Sequence, residues 1–345
     1  MKKTILITGG LGFIGSNFIR YFLKTHSDYH IINLDKLTYS ANPENLRDLA
    51  SESRYHFVQG DILDEALLLR LCRDYPPQAV FHFAAESHVD RSILGSKEFI
   101  QTNILGTHTL LEIFKRYWQE TLAENPGFRF LYVSTDEVYG TLGFEGVFTE
   151  RTPFHPNSPY SASKAGADLL AQAYFETFKL PILIVRPSNN YGPYQFPEKF
   201  IPLMITNLLE DQPVPIYGQG LNVRDWLFVE NACQGIDLVW QKGKIGEAYN
   251  IGGESERPNI EVARQVLSIL HKGEESLQFV TDRPGHDLRY ALSNDKIKEH
   301  IGWHPEVQFS EGLSRTIAWY QDNPWWWKPL KKRLQQESKG FWSKA

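Results

Sequence analysis

A glycine-rich turn near the start of the chain constrains the fold more than any other feature. The run Thr8-Gly9-Gly10-Leu11-Gly12-Phe13-Ile14-Gly15 follows an apolar segment that predicts a strand and opens a segment that predicts a helix. Glycines here allow a tight turn and a close backbone approach to a pyrophosphate, and the free N–H groups of the helix favour anions. We expect a dinucleotide site at Gly9, Gly12 and Gly15; the alternative is a purely structural turn.

An acidic residue stands at the end of the next predicted strand. Asp35 follows Gly15 by twenty positions. A carboxylate at this place can accept hydrogen bonds from both ribose hydroxyls and repels a 2′-phosphate, so the sequence favours NAD over NADP.

Two further strand ends lie where the same cofactor would pass. Asp61 and Ile62 follow the third strand and could flank an adenine ring, and Ala84-Ala85-Glu86 ends the fourth with small side chains. These are positional arguments, because ordinary strand-end loops have similar residues.

Short runs rich in Ile and Val alternate with longer amphipathic segments through the first half of the chain. This pattern is typical of βαβ units, whose parallel sheet is buried on both faces. The predicted strands are 4–8, 31–35, 56–59, 79–84, 130–134 and 182–186. The predicted helices are 14–24, 64–73, 97–118 and 160–178. We expect an α/β fold with a Rossmann-type doubly wound parallel sheet and a smaller substrate-binding domain.

The composition changes after Pro187, where several prolines and glycines interrupt long elements. We expect residues 1–186 to form the NAD-binding domain and about 223–250 to return to it. The predicted smaller domain, which is expected to bind the substrate, takes 187–222 and 251–325. Residues 326–345, with three tryptophans at the start, are expected to form a peripheral tail that covers a domain edge or a subunit contact.

Composition and charge exclude several classes of function. The 345 residues carry 36 basic and 41 acidic side chains and no long basic run, so nucleic-acid binding is not expected. No apolar run approaches the roughly 20 residues of a membrane span. Cys72 and Cys233 suit core positions, and with no signal-peptide core we expect a cytoplasmic protein. No metal site is expected, because His26 and His30 lack partner ligands and are interpreted as surface residues.

Tyr160 and Lys164 are four residues apart and lie on one face of a predicted helix. A lysine ammonium can stabilise the phenolate of a tyrosine that is otherwise a poor base at neutral pH. The hydroxyl of Thr135, at the end of the fifth strand, could bridge Tyr160 and a substrate oxygen. Together these residues predict an alcohol-oxidation site.

The glycine turn and the Tyr-x-x-x-Lys pair resemble the extended short-chain dehydrogenase/reductase superfamily. Four longer runs resemble, within it, the dTDP-glucose 4,6-dehydratase family, and the resemblance extends from Lys3 to about Tyr320. They are His82-Phe83-Ala84-Ala85-Glu86-Ser87-His88-Val89-Asp90-Arg91-Ser92, Ser134-Thr135-Asp136-Glu137-Val138-Tyr139-Gly140, Arg186-Pro187-Ser188-Asn189-Asn190-Tyr191-Gly192-Pro193 and Asp282-Arg283-Pro284-Gly285-His286-Asp287.

The resemblance implies an NAD-dependent hydro-lyase that feeds deoxysugar nucleotide biosynthesis, such as that of rhamnose. Family members oxidise carbon 4 of the sugar, eliminate water across carbons 5 and 6, and return the hydride to carbon 6. The elimination needs a base and an acid. The resemblance makes Glu137 the base, Asp136 the acid and Tyr160 the base of the oxidation.

The resemblance also implies the contacts of the two ligands. The cofactor residues are Gly9, Gly12, Phe13, Ile14, Gly15, Asp35, Lys36, Leu37, Thr38, Asp61, Ile62, Phe83, Ala84, Ala85, Glu86, Thr102, Tyr160, Lys164 and Asn190. The substrate residues are Ser87, Thr135, Asn189, Lys199, Pro215, Ile216, Tyr217, Arg224, Asn259, Arg283 and His286. Arginine suits a diphosphate because its planar fork donates two parallel hydrogen bonds, and 215–217 resembles the part that holds the pyrimidine.

Two alternatives remain open. A nucleotide-sugar 4-epimerase or decarboxylase would share the oxidation and would not need the acid and base at Asp136 and Glu137. A non-catalytic NAD-binding regulator would not need Thr135, Tyr160 and Lys164. In relatives, helices like 97–118 and 160–178 pair across a two-fold axis, so we expect a homodimer.

Overall fold

The computed structural model of the protein describes residues 3–122, 127–282 and 284–337. The strands are β1 Lys3–Thr8, β2 Tyr29–Asp35, β3 Tyr55–Gln59, β4 Pro77–His82, β5 Arg129–Val133, β6 Ile182–Pro187, β7 Asn189–Tyr191, β8 Val214–Tyr217, β9 Val223–Phe228, β10 Ala248–Ile251, β11 Glu256–Pro258 and β12 Leu277–Val280. The α-helices are α1 Phe13–Thr25, α2 Glu65–Asp74, α3 Val89–Leu94, α4 Lys97–Phe99, α5 Thr107–Tyr117, α6 Pro159–Phe178, α7 Phe200–Leu208, α8 Val229–Lys242, α9 Asn259–Ile269, α10 Asp295–Ile301, α11 Phe309–Asp322 and α12 Pro324–Glu337. Shorter 3₁₀ turns cover Pro43–Leu49, Asp136–Tyr139 and Glu274–Ser276, and π-helical turns cover Ile100–Gly106 and Trp118–Leu122.

Seven strands form one parallel sheet in the order β10-β6-β5-β4-β1-β2-β3. The direction of winding reverses between β1 and β4, where Thr8 pairs with His82. In doubly wound sheets, ligands bind outside the carboxyl ends of the strands at this reversal. The predicted α/β fold is therefore confirmed, and its topology places the ligand crevice at the end of β1.

Alternating side chains along β1 build one core on each face of this sheet. Ile5 and Ile7 pack with Phe18 of α1 on one face, and Leu6 packs with Leu110 of α5 on the other. Because helices cover both faces, the inner strands are mostly apolar, which is the pattern that the sequence analysis used. The edge strand β3 is more exposed.

Both cysteines lie in these cores: Cys72 and Cys233 are free and buried, as expected. The interpretation of His26 as a surface residue is wrong, because its Nε2 lies 2.9 Å from Asp237 Oδ1 in α8 and its side chain is only 15% exposed. Within the described ranges, no cluster of three or more His, Cys, Asp or Glu residues could hold a metal ion. None of the helices described there is both long and apolar enough to cross a bilayer.

The second unit contains a three-stranded sheet, β11-β9-β7, and the two-stranded pair β12-β8. Helices α7, α9, α11 and α12 contribute to its core, in which Tyr191, Ile205 and Val266 are fully buried. Of residues 223–250, β9 belongs to the small sheet, whereas α8 packs on α1 and β10 forms an edge of the large sheet. Only the later part of this segment therefore returns to the large sheet.

A single regular helix was expected over 97–118. The chain is helical there, but Ile100–Gly106 forms a π-helical turn and not an α-helical one. In this turn the Asn103 side chain accepts from Glu86 N at 2.9 Å and donates to Glu86 O at 3.0 Å. A Cβ at Gly106 would lie 2.4 Å from a neighbouring isoleucine side chain. Tertiary contacts of this kind, which periodicity does not report, favour the wider turn.

The start of the expected tail is not peripheral. Trp326 and Trp327 are 1% and 2% exposed and belong to the core of the second unit. The Trp326 indole donates to Asn45 Oδ1 at 2.8 Å, and the Asn45 amide donates to the Leu11 carbonyl at 2.8 Å. The helix α12 is thus fastened to the glycine turn, and residues 338–345 lie outside the described part of the chain.

Candidate active site

The glycine turn forms a tight cradle at the end of β1. Gly9 has a φ of +73°, and a Cβ there would lie 2.5 Å from the Ala84 backbone nitrogen. A Cβ at Gly15 would lie 2.4 Å from the Gly9 carbonyl oxygen. No side chain caps α1 at Gly12, so its first N–H groups remain available to an anion. The turn therefore has the shape and the donors that a pyrophosphate requires.

The Asp35 carboxylate is held at the end of β2. Leu11 N donates to one oxygen and Leu37 N to the other, both at 2.9 Å. Burial raises the pKa of Asp35, and these two hydrogen bonds oppose the rise. Because each oxygen can accept a further hydrogen bond, Asp35 can still bind ribose hydroxyls as the sequence predicts.

The other residues proposed for the cofactor lie around the same edge of the sheet. They are Phe13 and Ile14 at the start of α1, Lys36, Leu37 and Thr38 after β2, Asp61 and Ile62 after β3, Phe83, Ala84, Ala85 and Glu86 after β4, Thr102 in the π-helical turn and Asn190 in β7. Lys36 forms an ion pair with Asp61 at 2.7 Å. Ile62 is only 5% exposed, so its side chain offers little surface to an adenine ring.

Thr135 and Tyr160 meet where β5 ends and α6 begins. A capping box of Ser158 and Ser161 starts α6 and fixes Tyr160 in its first turn. Burial and the charge of Glu137 raise the pKa of Tyr160, while a hydrogen bond with the Thr135 hydroxyl lowers it. The phenol is therefore difficult to ionise without a nearby cation.

Lys164 lies one helical turn beyond Tyr160 and is 3% exposed. Its Nζ donates to the Val133 carbonyl at 2.7 Å and lies 4.4 Å from the centre of the Tyr132 ring. Burial lowers the pKa of Lys164 to about 7, and the charge of Asp168 raises it. The lysine can therefore change its protonation state close to neutral pH.

Asp136 and Glu137 stand in different environments. Asp136 is 1% exposed, and its Oδ2 has no hydrogen-bond partner. Burial and the charge of Glu137 raise the pKa of Asp136 well above its ordinary value, so the protonated form of this carboxyl is favoured. Glu137 lines an open cavity instead. The pair thus places a buried carboxyl that favours its protonated form beside a carboxyl that faces the cavity.

This cavity has a volume of about 1160 Å³ and lies between the large sheet and the second unit. Most residues proposed for the substrate line it together: Ser87, Asn189, Lys199, Pro215, Ile216, Tyr217, Arg224, Asn259 and His286. Thr135 lies behind Glu137, whose backbone N–H donates to the Thr135 hydroxyl at 3.3 Å. Arg283 lies outside the described residues.

Basic side chains in the cavity wall are fixed by neighbouring groups. Arg224 donates to the Asp287 carbonyl at 3.0 Å and stacks 4.3 Å from the centre of the Tyr290 ring. Lys199 donates to the Ser87 carbonyl at 2.8 Å. Charged donors held in this way suit a diphosphate, because little further ordering is needed on binding.

The chain is similar to known proteins over most of its length. The family model for GDP-mannose 4,6 dehydratase matches residues 6–316. The dTDP-glucose 4,6-dehydratase of Neisseria meningitidis is 49% identical over 341 residues, which cover 95% of this chain and 96% of that protein. The chain belongs to the dTDP-glucose 4,6-dehydratase family. Solved structures of the family are also similar: the Bacillus anthracis protein in complex with NAD has 49% identity and a TM-score of 0.87, and the Streptomyces venezuelae protein with NAD and TYD bound has 47% and 0.90, each covering 95% of this chain and 99% of the other.

Other residues of this dehydratase-family site were missed by the sequence analysis. Trp226 and Gln195 line the cavity, and each has a buried polar atom without a partner. Trp226 lies two residues after Arg224 in β9, so the two side chains share one face of the strand. The alternation of faces along this strand could therefore have identified Trp226 from the sequence. Lys331, Leu334 and Gln335 of α12 also line the cavity, but no local pattern marks residues that reach a site from a distant helix.

Proposed function

We propose that this protein is an NAD-dependent dTDP-glucose 4,6-dehydratase, a hydro-lyase that produces dTDP-4-keto-6-deoxyglucose and water. One observation carries the proposal: the buried Asp136 and the cavity-facing Glu137 directly follow Thr135, beside Tyr160. An oxidation site alone would serve many reactions. The added acid and base serve an elimination.

The dinucleotide fits the cradle of Gly9, Gly12 and Gly15, with Asp35 for its ribose. When bound there, NAD would supply a reversible hydride acceptor for carbon 4 and a hydride donor for carbon 6. Asn190 of β7, whose Oδ1 is buried without a partner, is a further candidate contact.

Tyr160 acts first, as the base that takes the hydroxyl proton at carbon 4. Protonated Lys164 stabilises the phenolate of Tyr160. The Thr135 hydroxyl orients the sugar oxygen beside the phenol. The ketone that forms at carbon 4 makes the proton on carbon 5 acidic.

Glu137 then takes the proton from carbon 5, and Asp136 gives its proton to the hydroxyl on carbon 6. That hydroxyl leaves as water, and a double bond forms between carbons 5 and 6. Glu137 returns its proton to carbon 5 when carbon 6 is reduced. Tyr160 then releases the proton taken from the carbon 4 hydroxyl to solvent and Asp136 takes one up, so the atoms balance with one water released. The raised pKa of Asp136 supports its role as the acid.

Arg224, Lys199 and His286 suit the diphosphate, and 215–217 suits the pyrimidine. We propose that residues 1–186, with α8 and β10, hold the cofactor. The smaller unit, to which we now assign β9, would hold the nucleotide sugar.

We also propose a homodimer and a cytoplasmic location. Exposed leucines on adjoining elements support the dimer: Leu94 of α3, Leu105 of the π-helical turn and Leu169 of α6 are 67%, 49% and 55% exposed. Two buried free cysteines are consistent with a reducing compartment. Light scattering during gel filtration tests the dimer: Leu169→Glu should give a monomer, and a monomeric wild-type protein would refute it.

Incubation with dTDP-glucose tests the proposed reaction. Mass spectrometry should find a product lighter by one water, with no net consumption of NAD. UDP-glucose and GDP-mannose serve as competing substrates, and faster turnover of either would reassign the nucleotide. Release of an unchanged-mass C4 epimer would favour the epimerase, and no turnover of any nucleotide sugar would favour a regulator.

A further inference from the structure

A buried ion pair lies behind the catalytic residues of α6. Asp168 and Arg186 are 0% and 2% exposed. Arg186 Nε and Nη2 donate to the two carboxylate oxygens at 2.9 and 2.8 Å. Desolvation of such a pair costs about as much as its attraction gains. Stability alone therefore gives little reason for two charges at this position.

The pair connects the two parts of the catalytic site. Asp168 belongs to α6, which carries Tyr160 and Lys164. Arg186 also donates to the Tyr139 hydroxyl at 2.8 Å. Tyr139 ends the 3₁₀ turn that begins with Asp136 and Glu137. The Arg186 guanidinium thus connects α6, which carries Tyr160 and Lys164, to the 3₁₀ turn that carries Asp136 and Glu137.

The Tyr139 hydroxyl is fixed on its other side as well. It donates to Asn250 Oδ1 of β10 at 2.8 Å, and the Asn250 amide donates to the Phe148 carbonyl at 3.2 Å. The turn therefore rests on a fully hydrogen-bonded network that spans β6 and β10.

Asp168 also lies one helical turn beyond Lys164, so its charge acts on the ammonium. The other groups that face Lys164 are Tyr160 on its own helix, Tyr132 and the Val133 carbonyl of β5, and His82 of β4. Burial and the charge of Lys164 lower the pKa of His82 to about 3, so this histidine is neutral. Burial lowers the pKa of Lys164 to about 7 and Asp168 opposes it, so the loss of this anion would leave the lysine largely neutral at working pH.

We propose that Asp168, held by Arg186, is a positioning residue of the dehydratase reaction. It keeps Lys164 protonated beneath Tyr160 and fixes α6 against the turn that carries Asp136 and Glu137. This role rests on the proposed function, and neither Asp168 nor Arg186 needs to touch the substrate.

The test compares pH profiles of kcat. The active form pairs a Lys164 ammonium with a Tyr160 phenolate, so the alkaline limb reports loss of the lysine proton. In Asp168→Asn this limb should move to lower pH by about one unit or more, as expected when a neighbouring charge is removed. At a pH on that limb, kcat should fall by about tenfold while the substrate KM stays within about twofold. Asp168→Glu, which keeps the charge, should restore the position of the limb.

A double variant covers the case in which Asp168→Asn, with Arg186 left unpaired, does not fold. Asp168→Leu with Arg186→Met replaces the pair by apolar side chains of similar size, a change that buried pairs often tolerate. It should fold and show a limb moved in the same direction, by less than in Asp168→Asn, because the Arg186 cation is removed together with the Asp168 anion. A wild-type limb in this variant would overturn the proposal, and so would failure to fold, because the pair would then serve stability.

The matched control is Asp237→Asn, which breaks the pair with His26 between α1 and α8. It should change the melting temperature without moving the limb, and a limb shift of the same size here would overturn the proposal. Activity of the wild-type enzyme separates the two proposals. If the wild type does not dehydrate dTDP-glucose, the proposed function is refuted. If it does, and the alkaline limb stays in place in the Asp168 variants, only the role of Asp168 is refuted.

Discussion

Replacement of Glu137 by glutamine separates the two halves of the proposed reaction. The amide keeps the size of the side chain, and the backbone N–H of residue 137 can still donate to Thr135. A lost general base typically costs about 100- to 10,000-fold, or roughly 3 to 5 kcal/mol of activation free energy. Overall turnover should fall by that factor.

The oxidation half-reaction should respond in the opposite direction. The charge of Glu137 raises the pKa of Tyr160 and of Asp136. A neutral glutamine removes this contribution, so Tyr160 becomes easier to ionise and carbon 4 can still be oxidised. The acid limb of the oxidation rate should therefore move to lower pH than in the wild-type enzyme.

The assay follows three signals from one reaction with dTDP-glucose in D₂O. We expect absorbance of reduced nicotinamide that persists on the enzyme, little deuterium at carbon 5, and little 4-keto-6-deoxy product. The exposed Glu145→Gln in the following loop is the matched control and should behave like the wild type. Near-normal product from Glu137→Gln would refute the assignment of the base and support the epimerase.

Four other substitutions give separate tests. Tyr160→Phe should bind substrate yet give no absorbance of reduced nicotinamide in a stopped-flow experiment, and any such signal would remove Tyr160 as the base. Asp35→Ala removes the carboxylate that we expect to accept from the ribose hydroxyls of NAD, so NAD affinity measured by calorimetry should fall by about 1.5 to 3 kcal/mol; unchanged affinity would exclude Asp35 from the site. Arg224→Lys should raise KM more than it lowers kcat, because a lysine cannot reproduce the planar fork, and a wild-type KM would contradict a diphosphate contact. The raised pKa of Asp136 means that the folded protein keeps this proton while the unfolded chain loses it, so its contribution to stability falls as pH rises above about 4. Asp136→Asn should therefore be inactive and melt at a higher temperature than the wild type, by a margin that grows with pH; an equal melting temperature at neutral pH would contradict this burial cost.

The parallel sheet and the glycine turn could be predicted because their signals are local. Burial on both faces makes each strand an apolar run, and the predicted start of β1 at Thr4 differs by one residue from Lys3. The predicted end of β4 at Ala84 is two residues late, because sheet pairing ends at His82 and the chain then passes Gly9. An apolar run does not show where hydrogen bonding to its neighbours stops.

The parts that could not be predicted depend on distant contacts. The short strands β7 and β11 exist because β9 lies between them. Each has only three residues, which is too few to show a periodic pattern in the sequence. The resemblance supplied most substrate residues, but it gave no reason for the contacts of Trp326 with Asn45 or of Arg186 with Tyr139. Both join segments far apart in the chain, and side-chain geometry alone reveals them.

The fastening of α12 to the glycine turn has a consequence for synthesis in the cell. Leu11 leaves the ribosome long before Trp326, but its carbonyl accepts from the Asn45 amide, and the Asn45 side chain in turn accepts from Trp326. A nascent chain can form the large sheet before that tryptophan emerges from the exit tunnel. The nucleotide-binding loop then receives this support only after Trp326 has emerged, so cofactor capture should follow the synthesis of α12.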